Sequence, residues 1–269
     1  MTDRAEDIVR RATAAFNAGR RDEAKNLCEL GLRQTPGEPM LSHLLAAVLF
    51  ANGDIAPARA QIELSLKNRP NNAAARMLAA RIARTEKDFD AALAHLDAAI
   101  ALAPQRDAFI EKARTLDQAG MKPQAREAWQ AIQKVIPDHQ EAAARLGRIA
   151  FDDGDLDGAA SQLARATARD APASVWFDLG LVRQDQRDFT GAAAAYRRAI
   201  ELKSDYAEAA LNLGIVLQEA GDLDAAMAAY ARAYRLRHDM FGSIAMALTS
   251  SPHGRLWLDE EMLRKLLAG

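Results

Sequence analysis

The chain has 269 residues, of which 49% are apolar, and its 35 Lys and Arg against 37 Asp and Glu give a formal net charge of −2. This balance excludes a general attraction to nucleic acid or anionic membranes, and the apolar content excludes a disordered chain. One cysteine, Cys28, excludes an internal disulfide bond and a zinc site built from cysteines, and its apolar position predicts a buried thiol.

The polar segment Met1 to Arg11 opens the chain and lacks the apolar stretch of a signal peptide. No run of about 18 apolar residues follows it that could cross a bilayer. We therefore expect a short N-terminal tail over residues 1–4, no membrane association and a cytoplasmic location. The abundance of Arg and Ala suggests a bacterial, GC-rich genome.

From residue 5 to residue 240 the sequence repeats itself about every 34 residues. The similarity is clearest where Leu179-Gly180 recurs as Leu213-Gly214, followed at equal offsets by Ala, Tyr and Ala. When this register is extended towards the N-terminus, with two repeats shorter by one residue, it divides the segment into seven repeats: 5–38, 39–72, 73–105, 106–139, 140–172, 173–206 and 207–240.

Two positions of each repeat hold only small residues. The twentieth is always alanine: Ala24, Ala58, Ala92, Ala125, Ala159, Ala192 and Ala226. The eighth is alanine or glycine: Ala12, Ala46, Ala80, Ala113, Gly147, Gly180 and Gly214. Because two helices approach closely only where side chains are small, these positions predict the contact points of a helical hairpin.

The turns between the paired helices are also visible in the sequence. Gly-Asp pairs recur at one offset, as Gly53-Asp54, Gly154-Asp155 and Gly221-Asp222, and Lys87-Asp88 and Arg187-Asp188 take the same place. Glycine can adopt the left-handed conformation that ends a helix, and aspartate caps the next one. Prolines between units stop each second helix: Pro36, Pro70, Pro104 and Pro137.

These residues resemble the tetratricopeptide repeat family over residues 5–240. The resemblance is weaker in the first repeat and in the fourth repeat, and in the fourth Lys112 and Lys122 replace apolar residues. It implies an all-α fold, a right-handed superhelical solenoid of about seven helix-turn-helix units. It also implies that the first helices line a concave groove that takes an extended peptide or a helix of a partner protein.

Residues 241–269 depart from the repeat and predict a partial repeat followed by a C-terminal capping helix. Residues 241–248 resemble the start of an eighth first helix, and the segment 250–254 breaks it. Asp259 would cap the last helix, whose apolar face holds Met262, Leu263, Leu266 and Leu267. The alternative is a helix that binds a partner or a second copy, with Trp257 as its anchor.

No motif of a nucleotide-binding loop, a zinc protease or a serine hydrolase is present, and no two of the five histidines share a helix face. We therefore expect no catalysis, no cofactor and no metal site.

Two kinds of side chain should face the groove. The first is a ladder of arginines that suits an acidic segment: Arg81, Arg84, Arg114, Arg145 and Arg148. The second is apolar or weakly polar: Met40, His43, Phe50, Phe177, Leu181, Leu211 and Ile215. The alternatives are that Asp117 and Asp152 neutralise the arginines and that the C-terminal helix covers the second apolar stretch.

The functional prediction is a non-enzymatic scaffold or adaptor that binds a protein or peptide, as a monomer or weak homo-oligomer. The alternative is a substrate-recruiting module of a larger enzyme, of the oxygenase, sulfotransferase or glycosyltransferase type. Nucleic-acid binding is disfavoured because acidic residues interleave the arginines.

Overall fold

The computed structural model describes residues 3–250 and 259–268, and within these ranges all regular structure is helical. The backbone divides into two compact units, residues 1–128 and residues 129–269, which we call unit 1 and unit 2. None of the described helices is long and apolar enough to cross a membrane.

Unit 1 consists of helices joined by short turns, in which each helix packs against its neighbour in sequence from α1 to α7. The first helix begins inside the stretch 1–4 that was predicted to be a tail. The helices are α1 (Asp3–Asn17), α2 (Arg21–Gln34), α3 (Pro39–Asn52), α4 (Ile55–Asn68), α5 (Ala73–Thr85), α6 (Phe89–Leu102) and α7 (Arg106–Gln118).

The boundary between the units falls inside α8 (Lys122–Val135). Helices α9 to α14 of unit 2 again pack each against the next. They are α9 (Gln140–Asp152), α10 (Leu156–Ala166), α11 (Ala173–Asp185), α12 (Phe189–Leu202), α13 (Ala207–Glu219) and α14 (Leu223–Leu236). A 3-10 turn (His238–Met240), α15 (Phe241–Ser250) and α16 (Glu260–Ala268) follow.

The predicted turn chemistry is found in most hairpins. Gly53 has a φ of 87°, in the left-handed region, and ends α3. The Asp88 carboxylate accepts a hydrogen bond from the Ala91 amide at 3.1 Å, and Asp155, Asp188 and Asp222 cap their helices in the same way. Asp54 differs, because its side chain makes no capping hydrogen bond.

The small-residue positions are contact points, as predicted. All seven alanines of the twentieth position have no exposed surface, and the alanines of the eighth position are at most 2% exposed. In unit 2 the eighth position is glycine because a large side chain takes the space: a Cβ on Gly180 or Gly214 would overlap the ring of Tyr196 or Tyr230, and a Cβ on Gly147 would overlap Leu163.

Those two tyrosines are buried polar groups, so each needs a hydrogen-bond partner. The Tyr196 hydroxyl donates to Gln184 Oε1 at 2.9 Å, and the Tyr230 hydroxyl donates to Gln218 Oε1 at 2.8 Å. Gln218 is itself buried and donates to the Ala247 carbonyl at 2.9 Å, which ties α13 to α15.

The last helix packs against α14, which agrees with the predicted capping helix. Asp259 caps it by accepting from the Glu261 and Met262 amides. Its apolar face is narrower than predicted: Leu263 and Leu267 are buried, whereas Met262 and Leu266 are 58% and 52% exposed. The predicted interruption of the helix at 250–254 lies outside the described residues, apart from Ser250 at the end of α15. The proposed anchor Trp257 also lies outside the described residues.

Candidate functional site

Three of the five predicted ladder arginines converge on one carboxylate in unit 1. Glu111 Oε1 lies 2.9 Å from Arg114 Nη1 and 3.4 Å from Arg81 Nη2, and its Oε2 lies 3.0 Å from Arg84 Nη2. We call these four residues the arginine cluster. Arg81 and Arg114 keep 44% and 40% of their side-chain surface exposed, while Arg84 keeps 20% and Glu111 is buried.

Helix spacing explains how the cluster assembles. Arg81 and Arg84 lie three residues apart on α5, and Glu111 and Arg114 lie three residues apart on α7, so each pair shares one helix face. Helices α5 and α7 contact each other directly. The sequence alone did not single out Glu111, although it lies 30 residues after Arg81, at the sixth position of the next repeat.

The same spacing recurs in unit 2, with a different balance of charge. Arg148 Nη1 donates to Asp178 Oδ1 at 2.6 Å, and Asp178 also lies 30 residues on, at the sixth position of its repeat. Burial raises the pKa of Asp178 above its ordinary value, while Arg148 and Arg145 act in the opposite direction. The partner of Arg148 is thus an aspartate of the following repeat, whereas the sequence suggested Asp152 in its own helix.

An aromatic group lies beside this ion pair. The ring centroid of Phe177 is 5.0 Å from that of Tyr206 and 5.6 Å from that of Tyr196. Lys203 Nζ sits over the Tyr206 ring, 4.8 Å from its centroid. Burial and the nearby Asp178 raise the pKa of Tyr206. Phe177 thus borders an aromatic and charged surface, and its role as an apolar groove residue stays a prediction.

The remaining predicted groove residues are half-buried. Leu181, Leu211 and Ile215 pack against the core of unit 2, and Ile215 also lines a cleft of about 310 Å³ together with Gln218 and Met246. These three side chains are therefore only partly exposed, and packing against the core is one reason why these positions are apolar.

In unit 1 the predicted apolar residues Met40, His43 and Phe50 are half-buried on α3. Phe50 packs against the core cluster, and Arg69 Nη1 lies 3.8 Å from Met40 Sδ. Burial lowers the pKa of His43 below its ordinary value.

The sequence matches family models described as tetratricopeptide repeat over residues 15–82, 73–106, 110–175 and 177–239. These matches cover most of the chain and agree with the helical hairpins seen in both units. The chain belongs to the tetratricopeptide repeat family. Members of this family generally serve as protein-interaction scaffolds, so the coarse assignment to protein binding follows from membership. No curated protein matches the sequence significantly.

Solved structures of the same fold share little sequence with this tetratricopeptide repeat chain. The type IV pilus biogenesis factor PilW aligns with a TM-score of 0.67 and 15% identity over 81% of this chain and 100% of that one. YrrB, described as having an unusual peptide-binding site, gives a TM-score of 0.54 and 18% identity over 68% and 95%. The Cut9–Hcn1 complex of the APC/C gives 0.64 and 14%, over 96% of this chain but only 48% of that one.

The described residues contain no group of three His, Cys, Asp or Glu side chains placed to hold a metal ion. Cys28 is buried on α2, and burial raises the pKa of its thiol to about 12, which disfavours the reactive thiolate at neutral pH. Tetratricopeptide repeat proteins are generally non-catalytic.

Proposed function

We propose that this tetratricopeptide repeat protein is an adaptor that binds an acidic segment of a protein partner at the arginine cluster. The observation that carries the proposal is the convergence of three guanidinium groups on one buried carboxylate. A guanidinium group binds carboxylates through two parallel hydrogen bonds, which gives both affinity and directional selectivity.

The charge of the cluster favours an anionic ligand. Three arginines face one buried glutamate, and counting the nearby Asp117 as well (three cations and two anions) still leaves one positive charge in excess. A carboxylate of the partner would neutralise that excess in a region already partly shielded from water, where ion pairing is stronger than on an open surface.

Glu111 supports binding by holding the arginines in place. A free arginine side chain loses conformational freedom when it binds a ligand, and that loss weakens affinity. Here the buried carboxylate orders Arg81, Arg84 and Arg114 before any partner arrives. Arg81 and Arg114 remain accessible, so a bound carboxylate can reach them without displacing Glu111.

Unit 2 supports a second, more apolar contact. Arg148 is neutralised by Asp178, so this region offers less free positive charge than the arginine cluster. The neighbouring aromatic group of Phe177 and Tyr206 supplies flat apolar surface with a hydroxyl at its edge. We propose that unit 2 contacts apolar side chains of the partner, with Leu181, Leu211 and Ile215 contributing their exposed edges.

The test compares two labelled peptides by fluorescence anisotropy, one of alternating Glu and Ser and one with Gln replacing each Glu. We expect the acidic peptide to bind more tightly, and the double variant Arg81→Ala, Arg114→Ala to lose about tenfold or more in affinity for it. Arg198→Ala is the matched control, since it removes an exposed arginine paired with Glu201 on α12 of unit 2.

Equal binding of the two peptides would contradict the proposal. So would a double variant that binds the acidic peptide as well as the Arg198→Ala control does. The affinity for the acidic peptide should also fall as salt is added, because the interaction is electrostatic.

A further inference from the structure

The turn after α5 holds a lysine where most of the matching turns hold glycine. Lys87 has a φ of 64°, and the matching residues Gly53, Gly154 and Gly221 have φ values of 87°, 81° and 86°. This left-handed conformation is strained for any residue with a Cβ, and glycine adopts it freely. Strain kept at one position of a repeat is a reason to look for a function there.

Packing does not explain the lysine. A Cβ added at Gly53, Gly154 or Gly221 would meet no atom within 4 Å, so the Cβ position at this turn lies in open space. Arg187 has the same strained φ, 62°, but its guanidinium carbon lies 5.3 Å from the Phe189 ring centroid. Lys87 is exposed, and within the described residues its amino group has neither an ion pair nor a ring contact.

A cleft of about 530 Å³ lies next to this lysine. It is lined by Arg84, Thr85, Lys87, Phe89 and Gln118, from the end of α5, the start of α6 and the end of α7. Its lining therefore holds two cations and no carboxylate.

The acidic residues of the neighbouring turn already have partners. Glu86 lies 3.5 Å from Arg59, and Asp88 caps α6.

The lining suits an anion with several oxygens. Lys87, Arg84 and the Gln118 amide offer donors from three elements, while the Thr85 hydroxyl already donates to the Arg81 carbonyl at 2.9 Å. A carboxylate has two oxygens and one charge. A phosphate monoester presents three acceptor oxygens and between one and a half and about two negative charges at neutral pH, and so could use all three donors.

We propose that this cleft binds the phosphate group of a phosphorylated side chain in a partner peptide. The inference rests on the proposed function, because Arg84 belongs to both the cleft and the arginine cluster. An acidic segment bound at the cluster would place a phosphorylated residue in the cleft beside it, and phosphorylation of the partner would then strengthen binding.

The experiment measures the affinity of the Glu–Ser peptide with and without one phosphoserine, for the wild type, Lys87→Gly and Arg187→Gly. We expect phosphorylation to raise affinity about tenfold in the wild type and in Arg187→Gly. In Lys87→Gly the gain should fall to about twofold or less, with little change for the unphosphorylated peptide. Glycine suits this turn, so Lys87→Gly should unfold at no lower temperature than the wild type.

Arg187→Gly controls for the loss of a basic residue from the same strained turn at a site that does not line the cleft. If the unphosphorylated peptide binds and phosphorylation adds nothing, or the gain survives Lys87→Gly, the inference is wrong while the proposed function stands. If the unphosphorylated peptide does not bind the wild type, the proposed function itself fails.

Two further arms identify the source of the phosphate. Inorganic phosphate that binds as tightly as the phosphopeptide would indicate a small-molecule site and would overturn the inference. Lys87-dependent binding to phosphatidylserine vesicles, without a preference for the phosphopeptide, would indicate a membrane headgroup and would overturn it as well.

Discussion

Units 1 and 2 use the same repeat positions with different charge. Arg81 of unit 1 and Arg148 of unit 2 both pair with an acid 30 residues on, yet Glu111 is shared by three arginines and Asp178 has Arg148 as its hydrogen-bonded partner. An arginine at a given position of the repeat is therefore not enough to define a binding site. The balance of cations and anions around it decides how much charge is left for a ligand.

The two units also differ in how their hairpins are filled. In the first three repeats the eighth position is alanine, and the twenty-fourth position holds Cys28, Ile62 or Leu96, none of which is aromatic. In unit 2, Gly180 and Gly214 lack the Cβ that would overlap the rings of Tyr196 and Tyr230. Ala80 with Leu96 and Gly180 with Tyr196 are therefore two alternative pairs at the same two positions, and exchanging a residue between them is informative.

The largest effect is expected when that match is broken. Gly180→Ala places a methyl group against the fully buried Tyr196 ring, and we expect it to lower the free energy of unfolding by about 3 kcal/mol. Ala80→Gly in unit 1 makes no clash and should cost about 1 kcal/mol through backbone entropy. Urea denaturation of both variants measures the difference.

A second substitution tests the reason for that effect. Tyr196→Leu added to Gly180→Ala recreates the Ala80 and Leu96 pair of unit 1, so the double variant should be more stable than Gly180→Ala alone. Additive destabilisation by the two changes would show that the ring is not the source of the clash.

The next largest effect concerns charge. Glu111→Gln leaves three arginines without their shared carboxylate and should destabilise by about 2 kcal/mol, a value reduced by the exposure of Arg81 and Arg114. Asp178→Asn affects one largely exposed arginine and should cost about 1 kcal/mol or less. Denaturation at low and high salt checks both, and a larger loss for Asp178→Asn would reverse the proposed ranking of the two sites.

A smaller effect separates the two tyrosines of unit 2. Tyr230→Phe leaves the buried Gln218 Oε1 without its donor and should cost about 1–2 kcal/mol. Gln184 is only half-buried, so water can replace the lost hydroxyl, and Tyr196→Phe should cost about 0.5 kcal/mol. Thermal melts of the two variants give the comparison, and equal losses would argue against burial as the cause.

The smallest effect is on the pH dependence of stability. Burial lowers the pKa of His43, so the folded state takes up a proton less readily than the unfolded chain, whose histidine titrates near 6.5. Stability should therefore fall as pH drops below about 6.5. His43→Gln should make this dependence shallower, with His95, whose pKa burial also lowers, keeping part of it. An unchanged slope between pH 7 and pH 5 would remove His43 as a contributor.

Much of the fold could be predicted because it depends on local spacing. The alanine and glycine columns mark helix contacts, and the Gly-Asp pairs mark turns, so residues close in sequence carried the signal. The acids Glu111 and Asp178 escaped prediction because Arg81 and Arg148, which they bind, lie 30 residues earlier in the preceding repeat. The Tyr–Gln pairs were missed for a similar reason, since the two residues lie on different helices and twelve residues apart.

Side-chain exposure was harder to predict than helix position. Four residues of the sequence predict the apolar stripe of α16, yet of these four Leu263 and Leu267 alone are buried, because α14 covers a narrower stripe. The predicted groove residues Leu181, Leu211 and Ile215 are less exposed than predicted, because part of each side chain packs against the core.

The central claim is that an acidic ligand binds at the arginine cluster of unit 1. The most direct test is a titration of the ¹⁵N-labelled protein with the Glu–Ser peptide, following the Nε–Hε resonances of arginine side chains assigned by single substitutions. The account predicts that the resonances of Arg81 and Arg114 shift with the peptide concentration while that of Arg148 stays nearly unchanged. Shifts confined to Arg148, or spread evenly over all arginines, would contradict it.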